Sequence, residues 1–111
     1  MPRTVKIDSD LDLDGIKKRC VKTQRAGFKL ASIESKTKTT DGTVLLFNEA
    51  KFDDASSVDI LDELNFVAAE SSESLASVKA RTPGFTFIFD ATQIFVKGHV
   101  KRAVIFGKQS A

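Results

Sequence analysis

The chain has 111 residues, of which 41% are hydrophobic and 29% charged, and its formal net charge is +2. That is room for one domain spanning residues 1–111, with the balance of a globular rather than a disordered chain. It excludes a membrane-spanning helix, because no apolar run nears the roughly 18 residues one needs. It also excludes a disulfide framework, because Cys20 is the single cysteine.

Met1-Pro2-Arg3-Thr4-Val5-Lys6 lacks the apolar stretch of a secretory signal, so the expected location is the cytoplasm. Thr4 to Ile7 reads as a short strand. From Leu13 the pattern turns helical, with Leu13, Ile16 and Cys20 on one face. Asp10 or Asp12 can cap this helix, Lys22 and Arg25 suit its negative end, and Gly27 stops it.

Phe28 to Phe52 reads as a hairpin around Asp41-Gly42, a type I′ turn signal that sets Thr40 opposite Thr43. Counting outward puts Ala31, Ile33, Thr37, Val44, Leu46, Ala50 and Phe52 on the core side. Lys36, Lys38, Leu45, Phe47 and Lys51 share the other.

Asp53 to Arg81 is expected to be helical in two pieces. Ile60, Leu61, Leu64, Val67 and Ala68 form the buried stripe of the first, and Asp59, Asp62, Glu63 and Glu70 its wet face. The serines around Ser72 mark a break. The second piece buries Leu75 and Val78, and Thr82-Pro83-Gly84 ends it. Phe85, Phe87 and Phe89 alternate along a strand. Asp90-Ala91-Thr92 is a turn, Ile94 to Val96 a strand, Gly98-His99 a turn and Ala103 to Phe106 the last strand. The tail from Lys108 is expected to be loose.

The small net charge hides two opposed blocks. Residues 15–51 carry nine Lys/Arg against three Asp/Glu, whereas residues 52–80 carry one against seven. Such segregation points to a surface that binds another molecule or a second copy. On the basic side, Lys18, Lys22 and Arg25 make a helical stripe flanked by Lys17, Arg19 and Lys29. Lys36 and Lys38 beside Phe47 can extend it with an aromatic for stacking. On the acidic side, Asp59, Asp62, Glu63 and Glu70 can meet a basic partner.

Other candidate chemistry is thin. Asp10, Asp12, Asp14 and Gly15 reproduce the opening of an EF-hand loop. Val21 stands where the bidentate acid belongs, however, and Lys17, Lys18 and Arg19 would repel the ion. The loop is read as a helix cap and no metal is assigned. Gly84-Phe85-Thr86-Phe87-Ile88 has the alternation of an RNA-recognition strand. Pro83 and Asp90 break its ends and the strand follows the helix instead of leading into one, so its Phe residues are read as core. Cys20 with His99 is the only conceivable nucleophile–base pair, and no cofactor or small-molecule substrate is implied.

The expected fold is α+β: an antiparallel sheet with two or three helices mainly on one face, a ferredoxin-like core with an added C-terminal strand being one version. The expected function is a non-catalytic protein-binding module, such as an inhibitor, an accessory subunit or a self-associating protein. The alternative is DNA or RNA binding through phosphate contacts from the basic helix at residues 17–29.

Overall fold

The computed structural model describes residues 2–56, 64–69, 73–89 and 93–109. Strand β1 (Arg3–Asp8) leads into helix α1 (Leu13–Arg25), which is followed by the long hairpin β2 (Phe28–Thr40) and β3 (Thr43–Asp54). Next come β4 (Asn65–Ala68) and helix α2 (Leu75–Arg81), then β5 (Phe85–Phe89), β6 (Gln93–Val96) and β7 (His99–Gln109). The class is α+β with antiparallel pairing throughout, and the strands divide into two sheets. The first has the order β1-β3-β2 and the second β4-β7-β5, with β6 paired to the opening residues of β7.

In the first half, local chemistry and tertiary outcome agree. The Asp12 carboxylate accepts a hydrogen bond from the Gly15 amide at 2.8 Å and caps α1. At the other end Gly27 takes a φ of 103°, a conformation that favours glycine, and turns the chain into β2. Asp41 and Gly42 both have positive φ, the type I′ geometry, and Thr40 faces Thr43 as expected. Strand order β1-β3-β2 around a single helix is a split β-α-β unit, half of a ferredoxin-like arrangement. The other half is replaced by the second sheet.

One face of the first sheet carries Ile7, Leu30, Ile33, Ala50 and Phe52, all buried against Ile16 and Cys20 of α1. A bulge between Leu30 and Ser32 shifts the register of β2, so Leu30 is buried and Ala31, expected inside, is exposed. Val44 and Thr37 were also expected in the core. They are exposed because the hairpin tip runs past the end of the packed body.

The second half departs further from helical expectation. Asp53 and Asp54 continue β3, and Asn65–Ala68 is a strand whose partners are Ala103 to Phe106 of β7. A short apolar run such as Leu64 to Ala69 fits a buried strand as well as a helix, and pairing with β7 decides it. Strand alternation then splits its side chains. Phe66 packs with the main core, whereas Val67 packs with Val78 and Val104 beneath α2. The helices therefore serve different surfaces, rather than sharing one face of one sheet. The expected positions Ile60 and Leu61 lie outside the described residues.

Helix α2 is short but well tied. Ser74 caps the Ser77 amide at 3.1 Å, and Arg81 grips Glu73 through two hydrogen bonds of 2.8 and 2.9 Å. The β6–β7 turn falls one residue earlier than expected: Lys97 and Gly98 take the positive φ values, and His99 begins β7. Glycine at the second turn position repeats the Asp41-Gly42 solution. Lys108 and Gln109 belong to β7 and are not a loose tail.

The two halves meet at Asn48, a fully buried residue of β3. Its side-chain amide donates to the Phe95 carbonyl and accepts from the Phe95 amide, both at 2.8 Å. Nearby, the amides of Lys97 and Gly98 donate to the carbonyls of Leu11 and Ser9. Asn48→Ala would strand both Phe95 backbone groups in the interior, at a cost of about 2–4 kcal/mol. Urea unfolding followed by circular dichroism should show a lower midpoint with an unchanged slope. Thr37→Ala on the exposed hairpin should shift stability by less than about 0.5 kcal/mol.

Candidate functional site

Strand alternation leaves the far face of the first sheet open. Thr4, Lys6 and Asp8 of β1 and Leu45 and Lys51 of β3 are exposed on it, with Phe47 half-buried among them. The Lys6 ammonium stands 4.6 Å from the centroid of the Phe47 ring, and Lys36 pairs with Glu34 at 3.1 Å. Lys6, Asp8, Ser9, Leu45 and Phe47 line a hollow of about 310 Å³. Beyond it the hairpin tip projects, with Val44 58% and Leu45 44% exposed on opposite sides. The surface has an apolar floor and a rim of both charge signs.

The second candidate surface is α1. Lys18, Arg19, Lys22 and Arg25 are exposed on it and Lys17 is half-buried. Lys18 pairs with Asp14 at 3.1 Å one turn earlier, a solvated contact worth a few tenths of a kcal/mol. Among the described residues Arg19, Lys22 and Arg25 make no ion pair. Arg3, at the start of β1, joins them: with Arg19, Lys22 and Thr23 it lines a groove of about 200 Å³ between strand and helix. Its guanidinium rests 5.4 Å from the Phe28 ring centroid.

These two surfaces lie on opposite sides of the first sheet. Helix α1 packs on the Ile33–Ala50 face, whereas Lys36, Lys38 and Phe47 belong to the other, and so does Lys29 by alternation. The structure therefore does not join the hairpin lysines to the helical stripe. Strand parity runs against the expectation that they extend one surface. On the acidic side, Asp59, Asp62, Glu63 and Glu70 lie outside the described residues. Glu73 of the same block is engaged by Arg81 and by the Ser77 hydroxyl, so its charge is satisfied internally.

Sequence reasoning passed over Arg3 and Lys6. Their pairing partners carried the signal. Arg3 opposite Phe52 sits at the end of the inner face, and Lys6 opposite Glu49 on the outer one, but only once β1 is placed beside β3.

The residual catalytic candidates separate. Cys20 is fully buried in the main core, while His99 is exposed at the start of β7. Asp12 is committed to its cap and Asp14 to Lys18. Among the described residues no three acidic, His or Cys side chains converge on a point that could hold a metal. No helix among them is long and apolar enough to cross a membrane. No family model matches the chain, and neither does any curated protein or solved structure.

Burial pushes the Cys20 thiol up to about 12 from its ordinary value near 9, because the core disfavours the thiolate. At pH 8 the reactive form is therefore about one part in ten thousand, and access is blocked as well. Dithionitrobenzoate should leave the native protein unmodified at that pH and label one thiol promptly in urea. Rapid labelling without denaturant would show Cys20 to be accessible.

Proposed function

We propose that the protein is a small cytoplasmic binding module that works without catalysis. It docks on another protein, a second copy of itself included, through the open face of its first sheet. The observation that carries this reading is the hollow at Lys6, Leu45 and Phe47, an apolar floor with a charged rim beside a projecting hairpin tip. Protein interfaces are built this way, with a desolvated apolar centre and a polar margin.

The charge pattern of that face favours a protein over a polyanion. Lys6, Lys36, Lys38 and Lys51 alternate with Asp8, Glu34 and Glu49 across adjacent strands. A mixed field of this kind orients a partner and rejects wrong ones, but does not draw in a phosphate backbone. Cys20 and His99 do not form a nucleophile–base pair, since the two must share one solvent-accessible site and here one is in the core and the other on the surface. The size and open sheet face suit an inhibitor or accessory subunit.

Leu45→Asp and Phe47→Ala test the reading. Phe47→Ala should cost about 2 kcal/mol of binding, roughly a thirty-fold loss of affinity. Sedimentation of the purified protein and stoichiometric capture from extract, with peptide-bond absorbance for detection, should show a partner or a dimer that both variants lose. Replacing Lys22 and Arg25 by Ala should leave that complex intact. A strict monomer with no stoichiometric partner, or a complex indifferent to Leu45→Asp, would overturn the proposal.

A further inference from the structure

We propose that the groove between β1 and α1 binds a phosphate group. Arg3, Arg19 and Lys22 line it, and among the described residues no carboxylate does. Among the described residues neither Arg19 nor Lys22 makes an ion pair, and the one other interaction of Arg3 is its stacking on Phe28. Three cations thus share one hollow, and none of the described carboxylates pairs with them. The C-terminal end of α1 contributes only about half a negative charge, screened by water, which leaves a clear positive excess.

The chemistry selects among anions. A carboxylate brings one charge and would leave two of the three cations unmatched, whereas a phosphate monoester brings nearly two and three acceptor oxygens. Arginine forks fit such oxygens in pairs, and the lysine adds a compact point charge. The Thr23 hydroxyl is already donated to the Arg19 carbonyl at 3.2 Å, so the groove recognises charge through its three cations. Stacking on Phe28 holds Arg3 in place before any ligand arrives.

Size limits what enters. At about 200 Å³ the groove is smaller than the usual pocket for a whole cofactor-sized molecule. It takes the phosphate group and leaves the bearer outside. The bearer can be a small phosphate ester or a nucleic acid strand that ends in a phosphate monoester. This site is independent of the protein-docking face, from which the first sheet separates it.

The test is a titration of the isotope-labelled full chain at low ionic strength, followed through its backbone amide resonances. One arm uses inorganic pyrophosphate, a second a short single-stranded oligonucleotide with a 5′-terminal phosphate and a third a glutamate peptide of matched charge. Resonances of residues 3–5 and 19–26 should move with phosphate and remain nearly still with the peptide. Arg19→Gln with Lys22→Gln, and separately Arg3→Gln, should weaken binding about tenfold or more, since each loses a charge-assisted hydrogen bond. Leu45→Asp should bind as the parent does. These are surface positions, and an unchanged circular dichroism spectrum will verify that each variant folds.

Movement with pyrophosphate supports the site and identifies a small ester as sufficient. Movement with the oligonucleotide alone supports it with a nucleic acid as the source. In that case the slope of log affinity against log salt should flatten by about one for each cation removed. Silence in both phosphate arms overturns the proposal. So do shifts that survive the glutamine variants, or a glutamate peptide that binds as tightly as phosphate.

Discussion

Asn48 does the work that a strand partner does elsewhere in this molecule. One carboxamide meets both the amide and the carbonyl of Phe95, which are the two groups a neighbouring strand would have satisfied. Strand β6 can therefore lie against the inner face of the first sheet without belonging to it. Ile94 and Val96, flanking Phe95, are buried in the main core with Ile7, Ile16 and Phe52. If Phe95 were unpaired there, its backbone groups would oppose the burial of its neighbours, because buried polar groups without partners cost more than most apolar contacts return. The position of the second sheet, and with it β4 and α2, follows from this contact.

Where β6 and α1 go decides what is left open. Both occupy the Ile33–Ala50 side of the first sheet, so among the described residues no helix covers its outer face. An antiparallel sheet can tolerate this if alternate residues are polar, and β1 and β3 mostly obey with Thr4, Lys6, Asp8, Glu49 and Lys51. Leu45 and Phe47 break the rule. Lys6 lies over the Phe47 ring and shields part of it, a contact worth about 0.5–1 kcal/mol at a solvated site. Leu45 has no such cover and remains 44% exposed. A lone exposed leucine is ordinary; one beside an aromatic and a hollow on an exposed sheet face is what the proposed docking surface rests on.

Legibility in the sequence tracked the range of the interactions involved. The cap at Asp12, the stop at Gly27, the Asp41-Gly42 turn and the inward face of α1 are local, and each was readable from neighbouring residues. The bulge at Ala31 was not, because nothing in Leu30-Ala31-Ser32 announces an extra residue; the mismatch exists only against β3. Strand β4 was misread as helix for a related reason. Leu64, Val67 and Ala68 have helical spacing, and only the pairing with β7, some forty residues away, turns them into a strand. Asn48 is the extreme case, since its partner is 47 positions distant and a polar residue among core positions gives no hint of what it will meet. Of the candidate site, the stripe Lys18-Lys22-Arg25 was readable because it lies on one helix. Its partner Arg3 was not, because it arrives from another element.

The same topology changes the meaning of the charge segregation. Read linearly, residues 15–51 are one basic block, but the fold distributes it over two faces of a sheet with a helix layer beneath. Packed layers stand roughly 10 Å apart, and at physiological ionic strength charges more than about 8 Å apart through solvent are largely screened. Lys36 and Lys38 therefore add little to the field at Arg19 and Lys22. Each surface has to be judged on its own members. The outer face then carries nearly balanced charge around an apolar centre, while the groove at α1 carries three cations and, among the described residues, no acid. Balanced charge with exposed Leu45 and half-buried Phe47 suits a folded protein surface, where apolar burial supplies affinity and charge supplies register. In the groove the charge is one-sided, and Val5 and Ala26 add a little apolar surface between the cations; a compact, highly charged anion is the ligand such an arrangement favours. The fold thus converts one sequence signal into two surfaces of different chemistry, set on opposite sides of a single three-stranded sheet.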